Sequence, residues 1–258
     1  MTKLIIPAIL ATLLLPACSQ EPVEVQQQAE QVEPRDYSQL TVAAVQDLAE
    51  QGVPGAQVRF ATMYYFGQGV PKDLEEAVRW FRLAAEQGDP VAQNQLGYMY
   101  TEGEGGPKDD VEAVKWYRMA AVQGSDEAQF SLGYRYGQGE GVPQDYAEAV
   151  RWWRANAERG AAKGMFALGF MYEFGQEGVL QDYVQAHKWF NLATLGRRSS
   201  ASRTSMAFTD IDLAVSRRDE LAKKMTPEQV AEAQRLAAKW KPKTWEVIRK
   251  ELKIGLPE

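Results

Sequence analysis

One histidine and one cysteine stand among 258 residues, and these scarcities close off much chemistry. A lone His187 rules out a histidine-rich metal site and leaves any serine or cysteine nucleophile a single imidazole to draw on. The only cysteine, Cys18, lies far upstream of the patterned part of the chain. Long apolar runs are also missing: the stretch from Leu4 to Leu15 is too short to span a bilayer as a mature helix. The G-x-G segments Gly67-Gln68-Gly69 and Gly137-Gln138-Gly139 follow helical patterns rather than strands, so they read as turns and not as phosphate loops. No catalytic residue, metal ligand or cofactor is expected.

What is present is a period. Trp80, Trp116 and Trp152 recur at one interval, and Gly88, Gly124, Gly160 and Gly196 keep it. Four units of 36 residues tile the middle of the chain without a gap, at 53–88, 89–124, 125–160 and 161–196. Within each, a first apolar stripe falls at four-residue spacing: Ala56, Phe60, Tyr64; Ala92, Leu96, Tyr100; Ala128, Leu132, Tyr136; Gly164, Leu168, Tyr172. Such spacing lines one face of a helix. After a breaker cluster such as Gly103-Glu104-Gly105-Gly106-Pro107 comes a second helical run, Ala77, Trp80, Phe81, Ala84 in the first unit and Ala113, Trp116, Tyr117, Ala120 in the second. Each unit is therefore helix, tight turn, helix, too small to bury its apolar face alone and obliged to stack.

The second helices open on pairs at capping-box spacing: Asp73 and Glu76, Asp109 and Glu112, Asp145 and Glu148, Asp182 and Gln185. The aspartate is expected to accept from a free backbone N–H while the later side chain reaches back, each cap contributing about 1 kcal/mol. These carboxylate pairs read as caps and not as a general acid and base. Gly97, Gly133 and Gly169 fall inside first helices, where glycine costs about 1 kcal/mol against alanine. A facing helix is expected to come close there, and less close in the first unit, which has Ala61. The tryptophans are expected in the core, since burying about 150 to 250 Å² of indole at about 25 cal/mol/Å² gives at most about 4 to 6 kcal/mol each.

The pattern A-x3-L-G-x2-Y, G-x-G, V-P-x-D, A-x2-W-[FYW], clearest in Ala92 to Gly124, resembles the Sel-one-like repeat, a cousin of the tetratricopeptide repeat. The fourth unit departs from it, with Gly164 for alanine, Leu180 for proline and one extra residue near Gln176 to Gly178. The resemblance implies an all-α fold, a right-handed α/α solenoid used for protein–protein contacts, and implies no reaction. It also implies that the Leu-Gly helices line a concave groove. Carried over residue by residue, the groove positions are Val58, Thr62, Asn94, Tyr98, Phe130, Tyr134, Phe166 and Phe170. They become more aromatic toward the C-terminal end, where a protein or peptide partner would be gripped. The same residues could instead pack against the next unit.

Residues 1–17 read as a signal peptide. Leu15-Pro16-Ala17-Cys18 resembles the lipobox of bacterial lipoproteins, which implies lipidation of Cys18 and anchorage in the cell envelope; Ser19 implies the outer membrane, facing the periplasm. Secretion without an anchor is the alternative. Residues 18–37 hold Gln26-Gln27-Gln28 among glutamates, with no apolar period, and read as a disordered tether. Residues 38–52 read as a degenerate capping helix, and 197–258 as a helical C-terminal cap with a basic tail. That last region has 14 Lys and Arg against 9 Asp and Glu, in a chain of net charge −6. It suits anionic lipid, an acidic partner, or simply solvated helix faces. An acidic, exported protein is not expected to hold nucleic acid. Arg79, Lys115, Arg151 and Lys188, with Arg82, Arg118 and Arg154 one turn on, form a basic ladder that could be a binding stripe, but Glu76, Glu112 and Glu148 stand three residues before three of these cations and are expected to pair with them locally. The expectation is thus a lipid-anchored envelope scaffold for a protein partner; a binder or hydrolase of cell-wall glycan is the alternative.

Overall fold

The computed structural model describes residues 37, 40–176, 178–195 and 208–255. The signal peptide, Cys18, the tether and the Ser/Arg-rich stretch before residue 208 lie outside them. The described residues belong to one compact unit beginning at Tyr37. They fold into twelve α-helices, and their only β-pairing is a single bridge between Gln176 and Val179.

A capping helix α1 (Val42–Glu50) precedes four hairpins: α2 (Pro54–Phe66) with α3 (Leu74–Glu86), α4 (Pro90–Glu102) with α5 (Asp110–Val122), α6 (Asp126–Gln138) with α7 (Tyr146–Glu158), and α8 (Ala162–Phe174) with α9 (Tyr183–Leu195). Three helices follow: α10 (Phe208–Ala222), α11 (Pro227–Lys239) and α12 (Trp245–Glu251). Each helix packs on the next through α10, and α9 also carries α11. This is an all-α solenoid. Each first helix of the first three units stops on a left-handed glycine, Gly67, Gly103 or Gly139, with φ of 71 to 73° that a side chain would resist. In the fourth unit the extra residue turns this joint into the bridge between Gln176 and Val179, so α9 begins one place late in the register.

The capping expectation is met by half. Asp73, Asp109, Asp145 and Asp182 each accept from the backbone N–H three residues on, at 2.9 to 3.0 Å. The return bond is not made at these four sites. The reason lies in the hairpin: each aspartate's own N–H already donates to a carbonyl of the preceding helix, of Tyr64, Tyr100, Tyr136 or Tyr172, at 2.8 to 3.0 Å. Freed from that task, Glu76, Glu112 and Glu148 take the cations three residues later, Arg79, Lys115 and Arg151. Glu76 and Glu148 also accept from the indoles of Trp80 and Trp152. Among the described residues both halves of the box form at Thr226 and Gln229, where no hairpin partner competes.

The helical glycines meet rings. A Cβ at Gly97 would stand 2.7 Å from Tyr117, at Gly133 2.6 Å from Trp153, and at Gly169 2.5 Å from Phe190. Trp80, Trp152, Trp153 and Trp189 are buried as expected, whereas Trp116 is half-buried. Two further ladders stitch neighbouring units. Buried Gln57, Gln93 and Gln129 each donate to a carbonyl eight residues back, of Ala49, Ala85 or Ala121, at 3.1 Å. The first two also accept from Gln87 and Gln123, at 2.8 Å. The second row of the basic ladder reaches forward: the guanidinium groups of Arg82, Arg118 and Arg154 donate to the hydroxyls of Tyr100, Tyr136 and Tyr172 in the next unit. The ladder thus pairs locally in its first row and joins units in its second.

The basic C-terminal region is largely engaged with the array. Ile248 and Ile254 are buried among Val114, Val122, Trp152 and Ala155. Trp245 donates its indole N–H to the Val122 carbonyl at 3.2 Å. Arg151 donates to the carbonyls of Leu252 and Lys253, both at 2.8 Å, and Lys243 pairs with Glu158 at 2.7 Å. The segment from Lys243 to Ile254 therefore runs back over α7 and the end of α5.

Candidate partner-binding face

The second helices are occupied by the units they join and, in units two and three, by the C-terminal segment. The first helices offer the other long surface, along which α4 also touches α6. A side chain two places after each Leu-Gly leucine stands about 200° round the helix from it, so it leaves on the side away from the buried stripe, at the same place in every unit.

The eight sequence-derived positions separate into distinct settings. Tyr98 and Tyr134 are exposed, at 41% and 43%. Val58 is half-buried against the first core, and Thr62 donates its hydroxyl to the Val58 carbonyl at 2.7 Å. Asn94 is half-buried, with an Oδ1 that has no hydrogen-bond partner among the described residues. Phe130 packs on the C-terminal core, carries Lys163 at 5.6 Å over its ring and receives the Trp153 indole N–H at its carbonyl. Phe166 and Phe170 meet edge-on at 4.9 Å, and both touch buried Phe190 at 5.7 Å. These last two serve the core as much as the surface, and α10 lays Arg217 over Phe170 at 5.1 Å.

Several residues of this face were not singled out from the sequence. Phe66 is the most open aromatic on it, at 61%, and meets Tyr65 edge-on at 4.8 Å. The Tyr65 hydroxyl donates to Glu104 Oε2 at 2.7 Å. Burial first, then Glu104 and the neighbouring Tyr98, push the Tyr65 phenol well above its ordinary range, so it remains a protonated donor. Arg135 is a second omission. It stands in the column of Met63, Met99 and Met171, is buried, and is neutralised by Glu140 and by Asp110 at 3.4 Å. An arginine in a methionine column was a legible signal, as were glutamines recurring at 57, 93 and 129.

Titratable groups also mark the C-terminal closure. Glu173 is only 2% exposed, and burial holds its carboxyl above the usual range although Arg217 lies 3.6 Å away. His187 is buried, its Nδ1 has no partner among the described residues, and desolvation, with Arg218 next, lowers its affinity for a proton. A buried histidine disinclined to ionise belongs to the packing between α9 and α10. No group of three or more metal-capable side chains occurs among the described residues.

The repeat itself decides the family. The Sel1 repeat pattern matches four times, at 54–89, 90–125, 126–160 and 162–195, which is more than half of the chain. The chain belongs to the Sel1 repeat family. Among solved structures, this Sel1 array is similar to a protective antigen of uropathogenic Escherichia coli strains displaying an SLR fold, at 34% identity and a TM-score of 0.65. That match covers 81% of this chain and 43% of the antigen, so the present chain spans less than half of its relative. A Sel1 repeat protein from Oxalobacter formigenes is 38% identical over 48% of this chain and 92% of that one, with a TM-score of 0.45. A putative Sel1 repeat protein from Klebsiella pneumoniae is 18% identical, covering 77% of this chain and 100% of that one, also with a TM-score of 0.45. A comparison with curated proteins finds no match. Sel1 arrays are in general non-catalytic and bind protein partners.

Proposed function

We propose that this Sel1 protein is exported, anchored through a lipid on Cys18 in the outer membrane facing the periplasm, and holds a protein partner on the face of its first helices. The observation that carries the partner reading is the row Phe66, Tyr98 and Tyr134: large aromatic side chains left open on a face whose neighbouring positions are packed. Aromatic rings give much contact area at low entropic cost, which is the composition of a binding surface rather than of a solvated helix. The anchor reading rests on Leu15-Pro16-Ala17-Cys18 after a short apolar stretch.

The two parts are tested separately. A photo-crosslinking residue at Tyr134 in intact cells should capture one dominant protein, and Tyr98→Ser with Tyr134→Ser should abolish a partner pull-down while helical circular dichroism is unchanged. Capture from an exposed second-helix position such as Lys115, and not from Tyr134, would refute the face. Cys18→Ser should move the protein from the membrane fraction to the soluble one; a variant that stays in the membrane refutes the anchor.

A further inference from the structure

The molecule holds one worked example of what this face can grip. At its C-terminal end Arg217 of α10 lies over Phe170 at 5.1 Å and over Phe174 at 5.7 Å, with Glu173 at 3.6 Å. A guanidinium is planar and weakly hydrated, so it stacks on rings and meets a carboxylate at once. In repeat register Phe170 corresponds to Tyr98, and Phe174 to Phe66 and Glu102.

The N-terminal end repeats these ingredients with no described cation over Phe66 or Tyr98. Phe66 and Tyr98 flank Tyr65, whose hydroxyl is tied to Glu104. Glu102 is exposed one helical turn beyond Tyr98. Neither Glu102 nor Glu104 forms an ion pair among the described residues. The three cations of the second unit are engaged elsewhere: Lys108 with Asp110, Lys115 with Glu112 and Arg118 with Tyr136. Other aromatics of the face carry a cation from the chain: Phe130 has Lys163, Tyr134 has Arg135, and Phe170 and Phe174 share Arg217. Tyr65 has Lys72 at 6.0 Å, which leaves the exposed rings of Phe66 and Tyr98 uncovered by any described cation. The second unit holds six Asp and Glu against three Lys and Arg, so the local field favours a positive visitor.

We propose that the corner formed by Phe66, Tyr98, Glu102 and Glu104 receives an arginine side chain of the protein partner. The ring faces stack on the guanidinium while the carboxylates accept from its N–H groups. The inference rests on the reading of this face as a protein-docking surface and adds the chemistry of the docked residue.

The test titrates the full chain with a short fluorescent peptide of alternating glycine and arginine, and with its lysine and citrulline counterparts. The arginine peptide should bind about tenfold tighter than the citrulline one and several-fold tighter than the lysine one. Tyr98→Ala, or Glu102→Gln with Glu104→Gln, should reduce arginine binding to the citrulline level. The glutamines still accept the Tyr65 hydrogen bond, so the fold is kept. Val247→Ser, on the exposed side of α12, should leave the titration unchanged. Equal binding of the arginine and citrulline peptides, equal binding of arginine and lysine, or indifference to both variants would each overturn the inference. In-cell capture from Tyr134 separates the two proposals. A crosslinked partner retained at full yield in the Glu102→Gln, Glu104→Gln variant sinks the arginine and spares the face. Arginine-selective binding with no crosslinked protein does the reverse.

Discussion

Gly133→Ala sets two effects of opposite sign against each other. An exposed helical glycine replaced by alanine gains about 1 kcal/mol in helix propensity. At Gly133 the added methyl would lie 2.6 Å from Trp153 Nε1 and 2.7 Å from its Cδ1, so the buried indole must move. Overpacking of this kind costs about 1 to 3 kcal/mol. The movement also pulls the indole N–H from the Phe130 carbonyl, now 3.2 Å away, and a buried donor left unpaired costs about 1 to 3 kcal/mol more. The net expectation is destabilisation of about 3 kcal/mol, within limits of about 1 and 5. At about 2 to 4 °C per kcal/mol for a unit of this size, the melting temperature should fall by about 6 to 12 °C. The assay is thermal unfolding by circular dichroism, with amide hydrogen exchange in α6 and α7 to localise the loss. Two substitutions calibrate it. Gly106→Ala, whose Cβ would meet nothing within 4 Å, should be neutral or gain up to about 1 kcal/mol. Ala61→Gly, in the unit that already accommodates a methyl, should be destabilising. A rise in melting temperature for Gly133→Ala would show that the ring does not close on the helix and would refute the account of these glycines.

Two further perturbations probe the closure of the array. Ile248→Ala removes a fully buried side chain from the C-terminal segment and should cost about 2 to 5 kcal/mol, with faster hydrogen exchange at the end of α5 and along α7, both far upstream in sequence; exchange altered only in α12 would refute the docking. His187, buried on α9 and faced by Arg218 and Asp219 of α10, has a folded pKa below its ordinary value of 6.5. Its contribution is therefore full above that value and is lost as the pH falls below it toward the folded pKa, because the unfolded chain takes up the proton first. Glu173, with a raised pKa, acts in the opposite sense: acidification relieves the burden of a buried charge. His187→Gln should thus lose less stability on acidification than the parent between about pH 7 and pH 5, measured by denaturant unfolding at each pH; parallel curves would refute the assignment.

Much of the site could be read from spacing, and some could not. The columns of the repeat placed Tyr98 and Tyr134 on the first helices, and both are exposed. Phe170 shares the column of Tyr98 and Tyr134, and Phe166 that of Phe130, yet both pack on Phe190 and Arg217 covers Phe170. A column fixes the direction in which a side chain leaves its helix. It does not fix what lies in that direction, and at the last unit a non-repeating helix does.

The same division runs through the whole molecule. Hairpin period, helix starts at Asp73, Asp109 and Asp145, glycine stops and core tryptophans follow from the chain's own order, because each depends on residues within one or two turns. Three outcomes depended on tertiary structure: the aspartate N–H groups taken by tyrosine carbonyls, the arginine–tyrosine bonds between units, and the return of the last residues over α7. In a repeat, several seams present nearly the same apolar surface, so no local pattern says which of them a non-repeating tail will cover. The choice falls to complementarity over more than 100 residues of separation: Trp245 against Gly124 and the Val122 carbonyl, and Arg151 against the carbonyls of Leu252 and Lys253.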